Sequence, residues 1–326
     1  MTSISTSAII YATLVTLAVF GNLAVLITVT SNAIKERVLQ ASDLILANLL
    51  VINFLISILR NVFVITQQIG YDFVFSNDWC RVFMFVWTLL KSMCLWSTFA
   101  LSVYHYICIR NHHLKFKRNT LRNTVKVLCG LWVFNCFYFI PSFLYTARGD
   151  RNVTFTVQLV SSATRPAMGC TWSFPNPNMS LVYVTASLVI HEIVPIILMV
   201  STNISTLYIL SRHSKAISAQ KTIRRIASER RAAFVITILV VLFVACWGTN
   251  VSAVNIYNFT MGSSVFLLSL ANFGSSIFMA LSPLVLLGGH SKLRRRLMSL
   301  FRMQWKTQIE PTVNMPSKCY VTTVKF

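Results

Sequence analysis

The stretch "CRVFMFVWTLLKSMCLWSTFALSVYHYICIR", Cys80 to Arg110, is a long apolar run with one lysine near its middle and an arginine near each end. It is long enough, read as a helix, to cross a hydrocarbon core about 30 Å thick. In lipid every backbone N–H and C=O must be satisfied within its own segment, so a run of this kind is a spanning helix. The same pattern recurs along the chain. Of its 326 residues 55% are hydrophobic and only 11% charged, where a soluble domain carries about a quarter charged residues. Seven runs are read as spans, over roughly 7–30, 42–66, 80–107, 125–146, 180–210, 232–257 and 263–288. The expected fold class is an all-α membrane protein, a seven-transmembrane helix bundle.

Charge sets the orientation. Segments 31–41, 108–126, 211–231 and 289–326 hold 23 of the 29 Lys and Arg. By the positive-inside rule these four segments are cytoplasmic and the N-terminus lies outside. The formal charge of +21 is thus a topology signal, and its division among short loops and a tail argues against a nucleic-acid partner. The N-terminal segment carries no charged n-region and no evident cleavage site, so the first span is read as retained. Asn152-Val-Thr, Asn178-Met-Ser and Asn258-Phe-Thr are glycosylation acceptors on the expected outer side. Asn203-Ile-Ser has the same pattern inside a span, which shows how little the motif means alone.

Most of the eight cysteines fall inside spans, where a free thiol behaves as a small hydrophobe. Cys80, at the outer end of span three, and Cys170, in the long outer loop before span five, do not. The outside is oxidising, so these two are the expected disulfide pair. Cys319 lies in the tail and is read as unmodified. There is no CxxC or Cys/His cluster, so neither a metal nor another cofactor is expected.

Ionisable groups within spans are costly and usually face the bundle interior, which makes them functional candidates. Met84, Trp87, Thr88, Lys91 and Leu95 follow helical spacing and share one face. That face presents an aromatic ring, a hydroxyl and a cation that would attract a carboxylate, phosphate or sulfate. Two readings of Lys91 stand: it contacts an anionic ligand, or it pairs permanently with Glu192, the only carboxylate in the outer half of a span. Arg60, two turns outward of Asn53, either faces the pocket or snorkels to the surface. His191 either tunes Glu192 or is an ordinary bundle histidine. Trp247 in span six either rotates on ligand binding or is packing. Arg81 reads as an interfacial anchor and Asp43 as a cap on span two.

Beyond the last span, "HSKLRRRLMSLFR" places Leu293, Leu297, Leu300 and Phe301 on one face among basic residues. An amphipathic helix on the inner lipid surface is expected over 289–303, the seven-span bundle occupying 1–288 and a flexible cytoplasmic tail 304–326.

Seven spans, an outside N-terminus, the Cys80–Cys170 pair and a basic inner surface resemble G-protein-coupled receptors. The rhodopsin-like pattern is present in Gly21-Asn22, Phe243-x-x-Cys246-Trp247 and Pro283. It departs from that pattern at Asn53, where the family has an acidic residue, so a sodium-type site is in doubt. Tyr104-His105-Tyr106 replaces the Asp-Arg-Tyr triplet, Thr249 replaces a proline, and the span-seven motif is reduced to Ser282-Pro283. These departures resemble the vomeronasal type-1 receptors and their fish olfactory relatives, through "DLILANLLVIN", "WCRV", "LSVYH", "LSRH", "SERRAA" and "LSPLVLL" taken in order.

The resemblance implies a plasma-membrane chemosensory receptor for small odorants or pheromones, with a heterotrimeric G protein as its inner partner and the bilayer around it. It also implies that His105 stands where related receptors hold a restraining arginine. A contact from His105 to Glu229, at the inner start of span six, then replaces the usual arginine–carboxylate latch, with Tyr106 and Pro283 on the same switch side. The other reading of His105 is an interfacial histidine between two interfacial tyrosines.

Other classes fit less well. A retinal protein needs a lysine in span seven, and none is there. A transporter or channel would show paired half-spans or a line of charges. No nucleophile–base or metal constellation suggests an enzyme. A bitter-taste-like receptor or another rhodopsin-like receptor is the nearest alternative. With Lys91 and Arg60 set against a single Glu192, the pocket carries net positive charge and acidic or zwitterionic ligands are expected.

Overall fold

The computed structural model describes residues 6–36, 39–68, 76–110, 118–149, 170–215, 220–259 and 265–289. Span one is α1 (Thr6–Glu36), span two α2 (Ala41–Gln68) and span three α3 (Asn77–Arg110). Span four comprises α4 (Arg118–Tyr138) and the short α5 (Ile140–Leu144). Strands β1 (Thr146–Arg148) and β2 (Cys170–Trp172) follow. Span five is α6 (Pro177–Leu188), a π turn (Val189–Ile193) and α7 (Val194–Lys215); spans six and seven are α8 (Gln220–Phe259) and α9 (Val265–Gly289). The helices of spans one, two, three, five and six outrun the apolar segments that announce them, because hydropathy marks the bilayer-crossing part while the backbone ladder continues into the polar boundary.

Among the described residues five helices are long and apolar enough to cross a membrane, through the segments Ile9–Lys35, Ala41–Leu59, Asn77–Arg110, Pro177–Arg212 and Phe234–Ile256. Phe273–Leu287 of α9 is a shorter apolar stretch, and α4 begins with Arg118, Arg122 and Lys126 before turning apolar. Large side chains such as Phe137, Val182, Ile204 and Val241 point outward and are exposed. A monomeric soluble protein rarely shows so extensive an apolar surface, whereas lipid covers it at no cost.

Span three is the central post. In it 72% of the apolar window is buried, against 33–44% in the other four crossing helices. Every residue from Trp87 to Leu95 is buried. The single inward face expected from helical spacing is therefore replaced, at this depth, by a helix surrounded on all sides.

Prolines decide where spans bend. Span four, expected as one helix over 125–146, breaks at Phe139 because Pro141, in the first turn of α5, has no N–H to donate. Its expected last residue, Thr146, lies in β1 instead. In span five Pro195 follows the π turn, in which the Val194 N–H bonds the Val189 carbonyl five residues back. In span seven Pro283 lies inside α9 and leaves the Met279 carbonyl without its helical donor. Asn22 of α1 supplies one, its Nδ2 lying 3.0 Å from that oxygen. Gly21 allows the approach, since a Cβ there would sit 2.8 Å from the Pro283 Cγ.

At the Cys80 end, β1 and β2 pair antiparallel with Arg148 opposite Cys170. Cys80 and Cys170 form the disulfide, with Cα atoms 5.5 Å apart. The Arg148 N–H donates to Asn77 Oδ1 at 2.9 Å. The hairpin is thus tied twice to the head of span three. Arg81 and Asp78 form a solvent-exposed ion pair there at 3.6 Å.

Candidate functional site

The site is built around Lys91. Its side chain is only 1% exposed, and it is among the largest fully buried side chains of the described residues. The Nζ lies over the Trp87 ring at 5.0 Å from its centroid and over the Trp247 ring at 4.6 Å. Trp87 stands one helical turn before Lys91 on α3, while Trp247 comes from α8. An ammonium within about 6 Å of an indole centroid is attracted by the negative ring face, by about 2 kcal/mol or more where water is excluded. The two indoles therefore help to hold a cation inside an apolar bundle.

Aromatic contacts extend outward from this centre. Phe83 stacks on Trp87 with centroids 6.4 Å apart. Phe243 lies 5.5 Å from Trp247 and meets Phe278 of α9 edge-on at 4.9 Å. Spans three, six and seven are thus joined by one line of rings with Lys91 in it. The Trp247 Nε1 is buried and has no hydrogen-bond partner among the described residues, so ring contacts orient this indole. Between spans six and seven the backbones come close. A Cβ on Gly274 would lie 2.9 Å from the Cys246 carbonyl oxygen.

A second polar centre joins spans three, four and five. The His191 Nδ1 lies 2.6 Å from Ser92 Oγ and accepts from Trp96 Nε1 at 3.2 Å. Ser92 also donates to Asn135 Oδ1 of α4. Tyr138 packs on the imidazole at 4.3 Å between centroids and Phe139 at 4.9 Å. Nearby, Ser142 Oγ and Tyr183 OH are 2.7 Å apart, and Thr88 Oγ1 reaches Ser142 at 3.4 Å while bonding its own Met84 carbonyl at 2.8 Å.

Trp87, Lys91 and Trp247 are thus brought together. Met84 is buried on the same helix one turn before Trp87. Thr88 and His191 turn toward span four instead, and Glu192 is buried in the π turn beside His191. Arg60 lies on α2 and Glu229 on α8, but their side chains fall outside the described residues. Ser92, Asn135 and Tyr183 do not stand out from helical spacing on any single span. Asn135 alone carries a signal, as an amide in an otherwise apolar stretch of span four.

Asn53 is buried and accepts from the Cys94 thiol, Sγ to Oδ1 at 3.3 Å. Asn48 of the same helix donates to Ser97 Oγ at 2.8 Å and accepts from Trp132 Nε1 at 3.1 Å. These amides knit spans two, three and four. Among the described residues there is no group of three or more His, Cys, Asp or Glu that could hold a metal ion. A recess of about 440 Å³ lies elsewhere, between spans two, three and four, lined by residues including Trp96, Phe99, Tyr104, Asn123 and Leu128. It contains none of the residues predicted to meet a ligand.

Near the Arg110 end of span three, His105 is half-buried with its ring 5.6 Å from that of Tyr104. Tyr106 OH accepts from Arg110 Nη1 at 3.2 Å. Pro283 is buried against Gly21. Asn178 is exposed in the first turn of α6. The Asn258 side chain, Asn152, Cys319 and residues 290–303 of the expected amphipathic segment lie outside the described residues.

Apolar helices gathered around span three, with a disulfide-tied hairpin at its head and a buried lysine at its middle, define a multi-pass helical membrane bundle. Residues 21–283 match the family described as "7 transmembrane receptor (rhodopsin family)", and the chain belongs to that family. It is a family of receptors and not of enzymes. Olfactory receptor class A-like protein 4 of Danio rerio is 34% identical over 311 residues, covering 92% of this chain and 90% of that protein. Olfactory receptor class A-like protein 1 of Danio rerio is 22% identical over 288 residues, 86% of this chain and 88% of the relative. Putative neuropeptide Y receptor type 6 of Homo sapiens is more distant, 21% identical over 251 residues, 76% of this chain and 84% of its own length. Family membership implies a ligand, small molecule or peptide, and a G protein.

Proposed function

We propose that the chain is a chemosensory receptor of the plasma membrane, with its N-terminus outside, that binds a small acidic odorant or pheromone and activates a heterotrimeric G protein. The observation that carries the ligand class is Lys91, a buried ammonium held over two indole rings on spans three and six. A small acid reaching it would gain an ion pair in a dry setting and would pull on the cation that touches Trp247. Its greater affinity for the active arrangement then shifts the population toward it. The 34% identity to a fish olfactory receptor class A-like protein supports the chemosensory reading. The vomeronasal type-1 resemblance belongs to the same reading.

The remaining assignments follow the same orientation. Arg60 adds positive charge to the pocket, and Glu192 selects zwitterions when it faces the ligand. Asn152, Asn178 and Asn258 are glycosylated outside. A His105–Glu229 contact restrains the inner ends of spans three and six at rest. Segment 289–303 lies on the inner lipid surface, followed by the tail.

The test is calcium signalling in cells that express the chain with a promiscuous G-protein α subunit. The panel contains small carboxylic acids, their amides and matched amines. Activation by acids and not by their amides supports the proposal. Activation by amines or neutral odorants leaves a receptor but removes the anionic pocket.

A further inference from the structure

Lys91 is an unusual occupant for the centre of a bundle. It is fully buried, and the two side chains whose ring faces its Nζ covers, Trp87 and Trp247, are themselves 3% and 0% exposed. Aromatic side chains that converge on a single point at cation–π distance are how proteins bind free organic ammonium ions. Here the ammonium comes from the chain itself, at the end of a four-carbon stem rooted on the same helix as one of the indoles. The Trp247 N–H has no hydrogen-bond partner among the described residues, so no polar tether would hold this ring in place once the cation is gone.

We infer that Trp87 and Trp247 form an ammonium-binding cage that Lys91 fills as a tethered ligand. The lysine then does two things. It excludes free organic cations from the centre of the bundle, and it fastens span six to span three through Trp247. The inference deepens the proposed function, because it assigns to the lysine of that pocket the rejection of amines as well as the attraction of acids. It also leads to a consequence that a plain ion-pair role does not share. Truncating Lys91 vacates a site shaped for a primary alkylammonium.

The experiment measures thermal unfolding of the full-length protein in detergent, a readout independent of signalling, so that failure here is separable from failure of the acid-receptor reading. Wild type, Lys91→Ala and the Lys91→Ala/Trp247→Leu double variant are titrated with n-butylammonium and, for comparison, n-butanol. The expected result is saturable stabilisation of Lys91→Ala by n-butylammonium, at a concentration at least about tenfold below that needed for any effect of n-butanol. Wild type, with the cage filled, and the double variant, with the cage broken, show no such difference. Equal effects of the two compounds on Lys91→Ala, or equal effects of n-butylammonium on all three proteins, overturn the inference.

Should Lys91→Ala not fold, Lys91→Met and Lys91→Arg decide the matter. Replacing a buried charge by an apolar chain of similar length is often neutral or stabilising. A cage that depends on the cation gives the opposite order, with Lys91→Met melting below both wild type and Lys91→Arg. That deficit shrinks in a Trp247→Leu background. Lys91→Met as stable as wild type, or a deficit unchanged without Trp247, overturns it.

Discussion

Asn22 donates through its side-chain amide to the backbone carbonyl of Met279, the acceptor that Pro283 cannot serve. The residue before it, Gly21, makes room for the proline ring. A helix break in span seven is thus repaired by span one. An unsatisfied buried carbonyl costs about 1–3 kcal/mol. Asn22→Ala is expected to lose that much stability, and Gly21→Val to lose at least as much by forcing α1 and α9 apart. Thermal unfolding of the detergent-solubilised protein checks both, and a melting point unchanged in Asn22→Ala contradicts the repair.

The Cys80–Cys170 bond closes a long loop and holds the β1–β2 hairpin on the head of span three. Removing a native disulfide typically costs about 2–5 kcal/mol. Cys80→Ala and Cys170→Ala should lower surface expression to the same degree, and the double variant should be no worse than either. Unequal single variants would mean that one thiol has a separate role.

The Ser92–His191–Asn135 centre joins three spans through shared partners. Ser92→Ala and Asn135→Ala should each cost about 1–3 kcal/mol, with the double variant costing less than their sum, because each deletion already breaks the same network. Strict additivity in thermal unfolding would show two independent contacts.

Much of this was legible in the sequence because the bilayer is a severe solvent. Apolar runs announced the spans, and Cys80 and Cys170, the two cysteines set apart from the span interiors, announced their bond. A lysine in the middle of span three announced a buried cation, which the structure sets over two indole rings. Contacts between spans were not legible, since helical spacing places Trp87 beside Lys91 but says nothing about Trp247 on a distant helix. For the same reason spacing did not show that Thr88 reaches the Ser142 hydroxyl of span four, or that His191 meets Ser92 and Trp96 of span three while packing on Tyr138 and Phe139 of span four. Pro141 and Pro195 did carry the signals for the break in span four and the π turn in span five.

At the inner end, the proposed His105–Glu229 latch holds spans three and six together at rest. Glu229→Ala and His105→Phe should each raise ligand-independent signalling by a similar factor, and the double variant should rise no further. Basal signalling is measured at matched surface expression. If Glu229→Ala signals at the wild-type level, the latch does not exist.

The central claim is that the ammonium of Lys91 receives an acidic ligand, and the most direct measurement is a concentration–response curve for an activating carboxylic acid on wild type and Lys91→Met at equal surface expression. A hydrogen bond to a charged group contributes about 1.5–3 kcal/mol. The account therefore predicts a loss of potency of roughly ten- to a hundredfold for the acid, with no comparable change for its amide. Equal potency of the acid on the two proteins would contradict it.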